Sequence, residues 1–250
     1  MSEYERTPSF YKTNDTFKKY LGKTSYYLNL QNAVLDIINY TDIKKVTELG
    51  SGLGHTTNRI SKNNSEINIT AVDFSEENIQ KCKESNNNKN IRFINRDMVN
   101  YVCSKNIDTE FILMLYSFHH IEDPKSNKVN FINNVYNSMN ENDYLCIGEA
   151  FLPENDSIEK LWKRRSEEGY ASTFWESLSG IDSDSIEEAK KIGNFSRDHE
   201  RIAGENVKNR DDEYLVKLSW LENTLKEIGF KIKLSEPVNA FNDYVILVEK

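Results

Sequence analysis

Two histidines stand side by side at the end of FILMLYSFHH, His119 and His120. Earlier, VTELGSGLGHTT sets an acid, Glu48, before three glycines at alternate positions, Gly50, Gly52 and Gly54. Imidazole titrates near neutrality, so a histidine at a strand tip can act as a base or orient an acceptor. Glycine-rich backbone directly after a strand lets another molecule approach the chain closely. Two further carboxylates, Asp73 and Asp97, end the apolar runs INITAVDF and IRFINRDM. A carboxylate at the position of Asp73 can accept both hydroxyls of a ribose. A helix cap is the ordinary alternative for either aspartate. HHIED offers metal-ligand types, but no second cluster completes a site, so no metal is expected.

These residues need strands and helices to hold them. LNLQNAVLDIINY has apolar residues at helical spacing and precedes the first strand, VTEL. A helix near 55–62, a strand at 67–74, and a helix capped by Ser75 follow. A third strand lies at 91–98. FILMLYSF is a continuous apolar strand of the type buried on both faces. A helix near 126–139 leads to a fifth strand ending at GEAF, and SWLENTLKEIGF, KIKLSEP and NDYVILVEK read as a helix and two strands. The alternation implies an α/β fold: a doubly wound, mostly parallel, seven-stranded Rossmann-like sheet. It is interrupted at 153–215, a charged and aromatic segment without a clear strand. The expected organisation is an N-terminal lid segment (1–27), a core (28–152 and 216–250) and a helical cap insertion (153–215) over the carboxyl edge of the sheet, where ligands bind in open α/β folds.

Composition narrows the function. Hydrophobic residues make up 38% and charged residues 29%, an ordinary globular balance. A net charge of -8 weighs against a nucleic-acid partner, which needs a concentrated basic face. No apolar stretch approaches a membrane span, and the polar N-terminus is unlike a signal peptide. The odd cysteines Cys82, Cys103 and Cys146 suggest a reducing, cytoplasmic setting rather than a disulfide framework. The absence of GK[ST] excludes a P-loop, and GxGxG differs from the dinucleotide pattern GxGxxG.

Four motifs in order, ELGSGLG, AVDFS, NRDM and LMLYSFHHIED, resemble the class I S-adenosylmethionine-dependent methyltransferase superfamily over roughly residues 30–150 and the two terminal strands. The resemblance implies S-adenosylmethionine as cofactor and S-adenosylhomocysteine as product. It places Glu48, Gly50, Ser51, Gly52 and Gly54 against the methionine part, Asp73 on the ribose, and Phe74 beside the adenine. It puts Asp97 on the adenine amino group, Met98 as a backbone contact, and Leu115 and Tyr116 under the sulfonium. Some sugar N-methyltransferases have a functional histidine before an apolar residue in the fourth motif; His120, before Ile121, resembles it, with His119 the second candidate.

The acceptor is read from the insertion. Arg164, Arg165, Arg201, Arg210 and His199 lie among Tyr170, Trp175 and other aromatics. Arginine's planar fork suits a carboxylate, so O-methylation of a carboxylate on a small molecule or short peptide is slightly preferred. Solvated arginine–glutamate helix faces are the plain alternative. N-methylation of an amine, a non-catalytic cofactor-binding domain and an NAD-dependent oxidoreductase are the competing functions.

Overall fold

The computed structural model describes residues 19–103, 107–122, 125–179, 186–209 and 213–250. Residues 1–18 of the expected lid segment lie outside the described residues. A seven-stranded sheet runs through the molecule in the order β3-β2-β1-β4-β5-β7-β6. Its strands are β1 (Lys45–Leu49), β2 (Asn68–Asp73), β3 (Ile91–Asn95), β4 (Phe111–Leu115), β5 (Tyr144–Ala150), β6 (Lys231–Pro237) and β7 (Asp243–Glu249). The first five are parallel neighbours; β7 runs antiparallel between β5 and β6. The order reverses between β1 and β4, which opens a crevice at their carboxyl ends.

The apolar run in β4 explains why it is central. Side chains alternate across a strand. Phe111, Leu113 and Leu115 therefore join the core on one face, under α1 (Ser25–Thr41) and α2 (His55–Asn63). Ile112 and Met114 join the other face, against Phe131, Ile132 and Val135 of α5 (Lys125–Ser138) and Leu221 and Leu225 of α8 (Leu218–Ile228). Both faces are dry, so this strand cannot alternate polar with apolar.

Local signals set the boundaries. Ser75 caps α3 (Glu76–Ser85) by accepting from Asn78 N at 3.3 Å, and Asp97 caps the short α4 (Met98–Val102) by accepting from Asn100 N at 3.0 Å. Gly229, at φ +117, closes α8 in the left-handed conformation.

Two long helices, α6 (Ile158–Ser179) and α7 (Ile186–Asn209), occupy the chain between β5 and α8. They are fastened to the core by polar ties. Ser25 N donates to Thr173 Oγ1 at 3.1 Å, and the Tyr26 hydroxyl meets His199 Nδ1 at 2.9 Å. The buried Arg165 guanidinium reaches Glu200 Oε2 at 2.5 Å, Asp243 Oδ1 at 2.6 Å and the Phe241 carbonyl at 2.6 Å. One side chain thus joins α6, α7 and the start of β7. Among the described residues, no helix is long and apolar enough to cross a membrane.

Candidate active site

A cavity of about 1360 Å³ opens at the carboxyl ends of the strands. Its floor comes from the glycine loop, the ends of β2 and β4, and the residues after β3. Trp162, Arg165, His199 and Ala203 bring α6 and α7 to its wall.

The glycine loop is pinned by Gly50 N and Ser51 N, which donate to the Val72 carbonyl at 2.8 and 3.0 Å. Gly50, at φ +76, has no room for a side chain, because a Cβ would meet Ser117 Cβ at 2.5 Å. Gly52, at φ +53, has no atom within 4 Å of where its Cβ would stand. Its bare backbone faces the cavity. The Ser51 hydroxyl is buried there without a hydrogen-bond partner among the described residues. A bare backbone cradle with an unused hydroxyl fits a polar ligand such as the aminocarboxypropyl end of a sulfur nucleoside.

Asp73 is buried beside this loop. Its Oδ2 accepts from Gly52 N at 2.8 Å, and its Oδ1 from Ser75 N at 3.0 Å and Asn78 Nδ2 at 3.4 Å. Burial raises its pKa, and the Ser75 and Gly52 amides oppose that rise. A carboxylate has about four acceptor positions, so capacity remains for a ligand. Phe74, Asp97, Met98, Leu115 and Tyr116 also line the cavity. Tyr116 takes φ +48, a sparsely populated conformation for a non-glycine residue. Its ring stacks on Tyr27 at 5.8 Å and meets Tyr26 edge-on at 6.0 Å.

Two residues expected at the cofactor lie elsewhere. Glu48 is buried beneath the loop and accepts from the Thr57 hydroxyl; it does not line the cavity. Desolvation pushes its pKa up to about 7. Gly54 begins α2 and turns toward Cys82 and Phe93. The cavity is lined by the consecutive residues Gly50 to Leu53, and the positions just before and after this run brace the loop.

His119 and His120 lie in a 3₁₀ turn, Phe118–His120, just past β4, with their rings 4.0 Å apart. Both line the cavity, but His119 has the constructed environment. Its Nδ1 is 2.8 Å from Glu149 Oε1, and its Nε2 is 3.2 Å from Glu213 Oε2. Its backbone N–H donates to Glu149 Oε2 at 3.2 Å. Burial lowers the His119 pKa and raises that of Glu149 to about 7. Both shifts favour a neutral imidazole.

The acceptor residues expected from the insertion divide sharply. Arg165 and His199 line the cavity; Arg164, Tyr170, Trp175 and Arg201 do not. Arg164 is exposed, Trp175 is 65% exposed, and Arg201 pairs with Glu205 at 2.9 Å on the surface. Tyr170 stacks on Phe174 at 6.1 Å. Arg210 lies outside the described residues. A helix presents only one side to the cavity, so neighbours such as Arg164 and Arg165 have opposite fates. Arg165 itself is paired with Glu200 and Asp243, so its charge is already met within the protein.

Sequence reasoning missed Glu149, Glu213 and the packing of Tyr26 and Tyr27 against Tyr116. Glu149 had a signal: it is the sole charge in the otherwise uncharged strand YLCIGEA. A charge buried in a central strand needs a partner. Glu213 had none, because only the tertiary fold brings it to His119. Among the described residues, no group of three or more His, Cys, Asp or Glu could hold a metal ion.

A methyltransferase-domain family model matches residues 46–141, the segment from β1 through the end of α5. No curated protein sequence matches the chain. Among solved structures, the chain is similar to mitomycin 7-O-methyltransferase MmcR, at 10% identity and TM-score 0.61, covering 100% of this chain and 61% of that one. PigF with SAH gives 13% identity and TM-score 0.60 over 94% and 58% of the two chains. An O-methyltransferase family protein from Burkholderia thailandensis gives 9% identity and TM-score 0.54 over 88% and 56%. The chain thus spans little more than half the length of these structures, and at such identity the likeness speaks for the fold. Strand order and glycine loop agree with the methyltransferase-domain match over residues 46–141. S-adenosylmethionine is the cofactor that this domain match supports, and the cradle described above fits it.

Proposed function

We propose that this protein transfers a methyl group from S-adenosylmethionine to a hydroxyl oxygen of a small organic acceptor, with His119 as the proton acceptor. The observation that carries this reading is the line Glu149–His119–Glu213 at the cavity wall. When bound, S-adenosylmethionine supplies a methyl already activated on a sulfonium. The chain's task is then to orient the acceptor and remove its proton. With Nδ1–H donating to Glu149, the basic nitrogen of His119 is Nε2. Glu213 Oε2 stands 3.2 Å from that nitrogen, so the acceptor hydroxyl reaches Nε2 when the Glu213 side chain turns aside. The hydroxyl proton passes to Nε2, and Glu149 stabilises the imidazolium that forms. Gly50, Ser51, Gly52, Asp73, Phe74, Asp97, Met98, Leu115 and Tyr116 are the cofactor-binding set in this reading. Tyr26, Tyr27 and Tyr116 supply aromatic walls that exclude water.

Arg165 is committed to two carboxylates and offers a carboxylate acceptor no free cation, and a carboxylate would also leave the His119 relay without work. Two of the similar structures are O-methyltransferases by name, which agrees with a hydroxyl. An amine acceptor is the second reading, favoured by the same base and by the carboxylates at the cavity. The test is methyl incorporation from isotope-labelled cofactor into panels of phenols, alcohols, amines, carboxylic acids and short peptides. Label in hydroxyl compounds is expected. Label confined to acids or amines overturns the acceptor class, and cofactor binding with no incorporation into any panel supports a regulatory domain instead.

A further inference from the structure

On α5, the residues facing the core are Lys128, Phe131, Ile132 and Val135, spaced as one apolar stripe. A lysine therefore holds a core position, and it is fully buried. Burying an ammonium is costly unless hydrogen bonds compensate it. Its Nζ donates to the Phe118 carbonyl at 3.2 Å and to the Ile121 carbonyl. These are the first residue of the 3₁₀ turn that carries His119 and His120, and the residue just after it. The ammonium also lies 5.1 Å from the centre of the Phe118 ring and 5.9 Å from that of Tyr214. Tyr214 N in turn donates to the His119 carbonyl at 3.0 Å.

We propose that Lys128 is a positioning residue of the proton-transfer site, its ammonium clamping both ends of the histidine turn and holding the His119 imidazole between Glu149 and Glu213. The carbonyls would otherwise be left facing a dry core. The clamp also acts electrostatically. The charged and titratable groups facing His119 are Glu149 from β5, Glu213 from the segment before α8, His199 from α7, His120 beside it and Lys128 from α5. Glu213 raises the His119 pKa, whereas Lys128 and His199 lower it together with burial. Lys128 also lowers the pKa of Glu149. Its charge therefore favours the unprotonated imidazole and opposes the rise that burial imposes on the Glu149 carboxyl.

The inference rests on His119 as the proton acceptor, but its test needs no acceptor. The experiment follows the His119 ring by NMR over a pH titration in the full chain carrying isotope-labelled histidine, for the wild type, Lys128→Met and Lys128→Arg. Binding of S-adenosylhomocysteine serves as the check on folding. Lys128→Met should raise the His119 midpoint by about one pH unit, the order expected when a nearby unit charge is lost. Lys128→Arg should return the midpoint toward the wild type. An unchanged midpoint in a Lys128→Met protein that still binds the nucleoside overturns the proposal. Equal shifts in both variants overturn it too. If neither variant folds, the wild-type protein decides: a slowly exchanging, charged Lys128 ammonium signal supports the clamp, and a neutral amine refutes it. Failure of methyl transfer in the acceptor panels would leave these titrations untouched, so the two readings fail separately.

Discussion

At the residue scale, a charge is informative only together with what surrounds it. His119 and His120 are equivalent in sequence, yet one is buried between two glutamates and the other is half-buried beside it. The sequence reading favoured His120 because the apolar residue after it matched a motif. What distinguishes His119 is contributed by Glu149 and Glu213, which are distant in the chain. His119→Ala should therefore lower turnover of a hydroxyl acceptor on the order of 100-fold, while S-adenosylhomocysteine affinity holds within about twofold. Glu149→Gln should lower turnover as well, because the imidazolium loses its counter-charge. His120→Ala falling as far as His119→Ala would reverse the assignment. Asp73 was easier to read, since its type and its place at a strand end are both local. Asp73→Ala should weaken S-adenosylhomocysteine binding by about 1–3 kcal/mol, measured by calorimetry. Unchanged affinity would leave Asp73 as a brace for Gly52 and Ser75 only.

At the element scale, the strands were the most legible part. β4 is apolar throughout because both of its faces are covered, and the carboxylates Asp73 and Asp97 fall where strands end. The cap at Ser75 was legible for the same reason, since it depends on a few consecutive residues; Asp97 was read as an adenine ligand with a cap as the alternative, and it does cap α4. The inward face of α6 was not, because arginine and tryptophan occur on both of its sides. Arg165 and Arg164 show the consequence, with one side chain tying α6 to α7 and β7 and its neighbour in solvent. Arg165→Ala leaves Glu200 and Asp243 buried without their shared cation. Such a loss costs about 3–5 kcal/mol. Arg164→Ala should stay within about 0.5 kcal/mol of the wild type, as expected of an exposed side chain. Urea denaturation of the two variants side by side reads the difference. Equal midpoints would mean that the Arg165 network contributes nothing to the attachment of the helices.

At the scale of the whole molecule, the buried acids and histidines make stability depend on pH in opposite senses. Burial lowers the pKa values of His55, His119 and His199, so the folded state resists their protonation and loses stability as pH falls below the ordinary histidine range. Glu48 works the other way. Its pKa rises from 4.5 to about 7, mainly through desolvation, so the folded state holds a proton that the unfolded chain has released. The contribution of Glu48 is fully present below pH 4.5 and is lost as pH rises to about 7. A shift of that size corresponds to about 3 kcal/mol for a fully buried group. Glu48→Gln removes the titration while keeping the shape and a partner for Thr57. Relative to the wild type, the variant should gain about 3 kcal/mol more at pH 8 than at pH 4.5, read by urea denaturation at both values. Any fixed cost of replacing the carboxyl by an amide appears at both pH values and cancels in the comparison. A difference that does not change between them would show Glu48 ionised in the folded protein, and would favour the place against the methionine part of the cofactor that the resemblance implied.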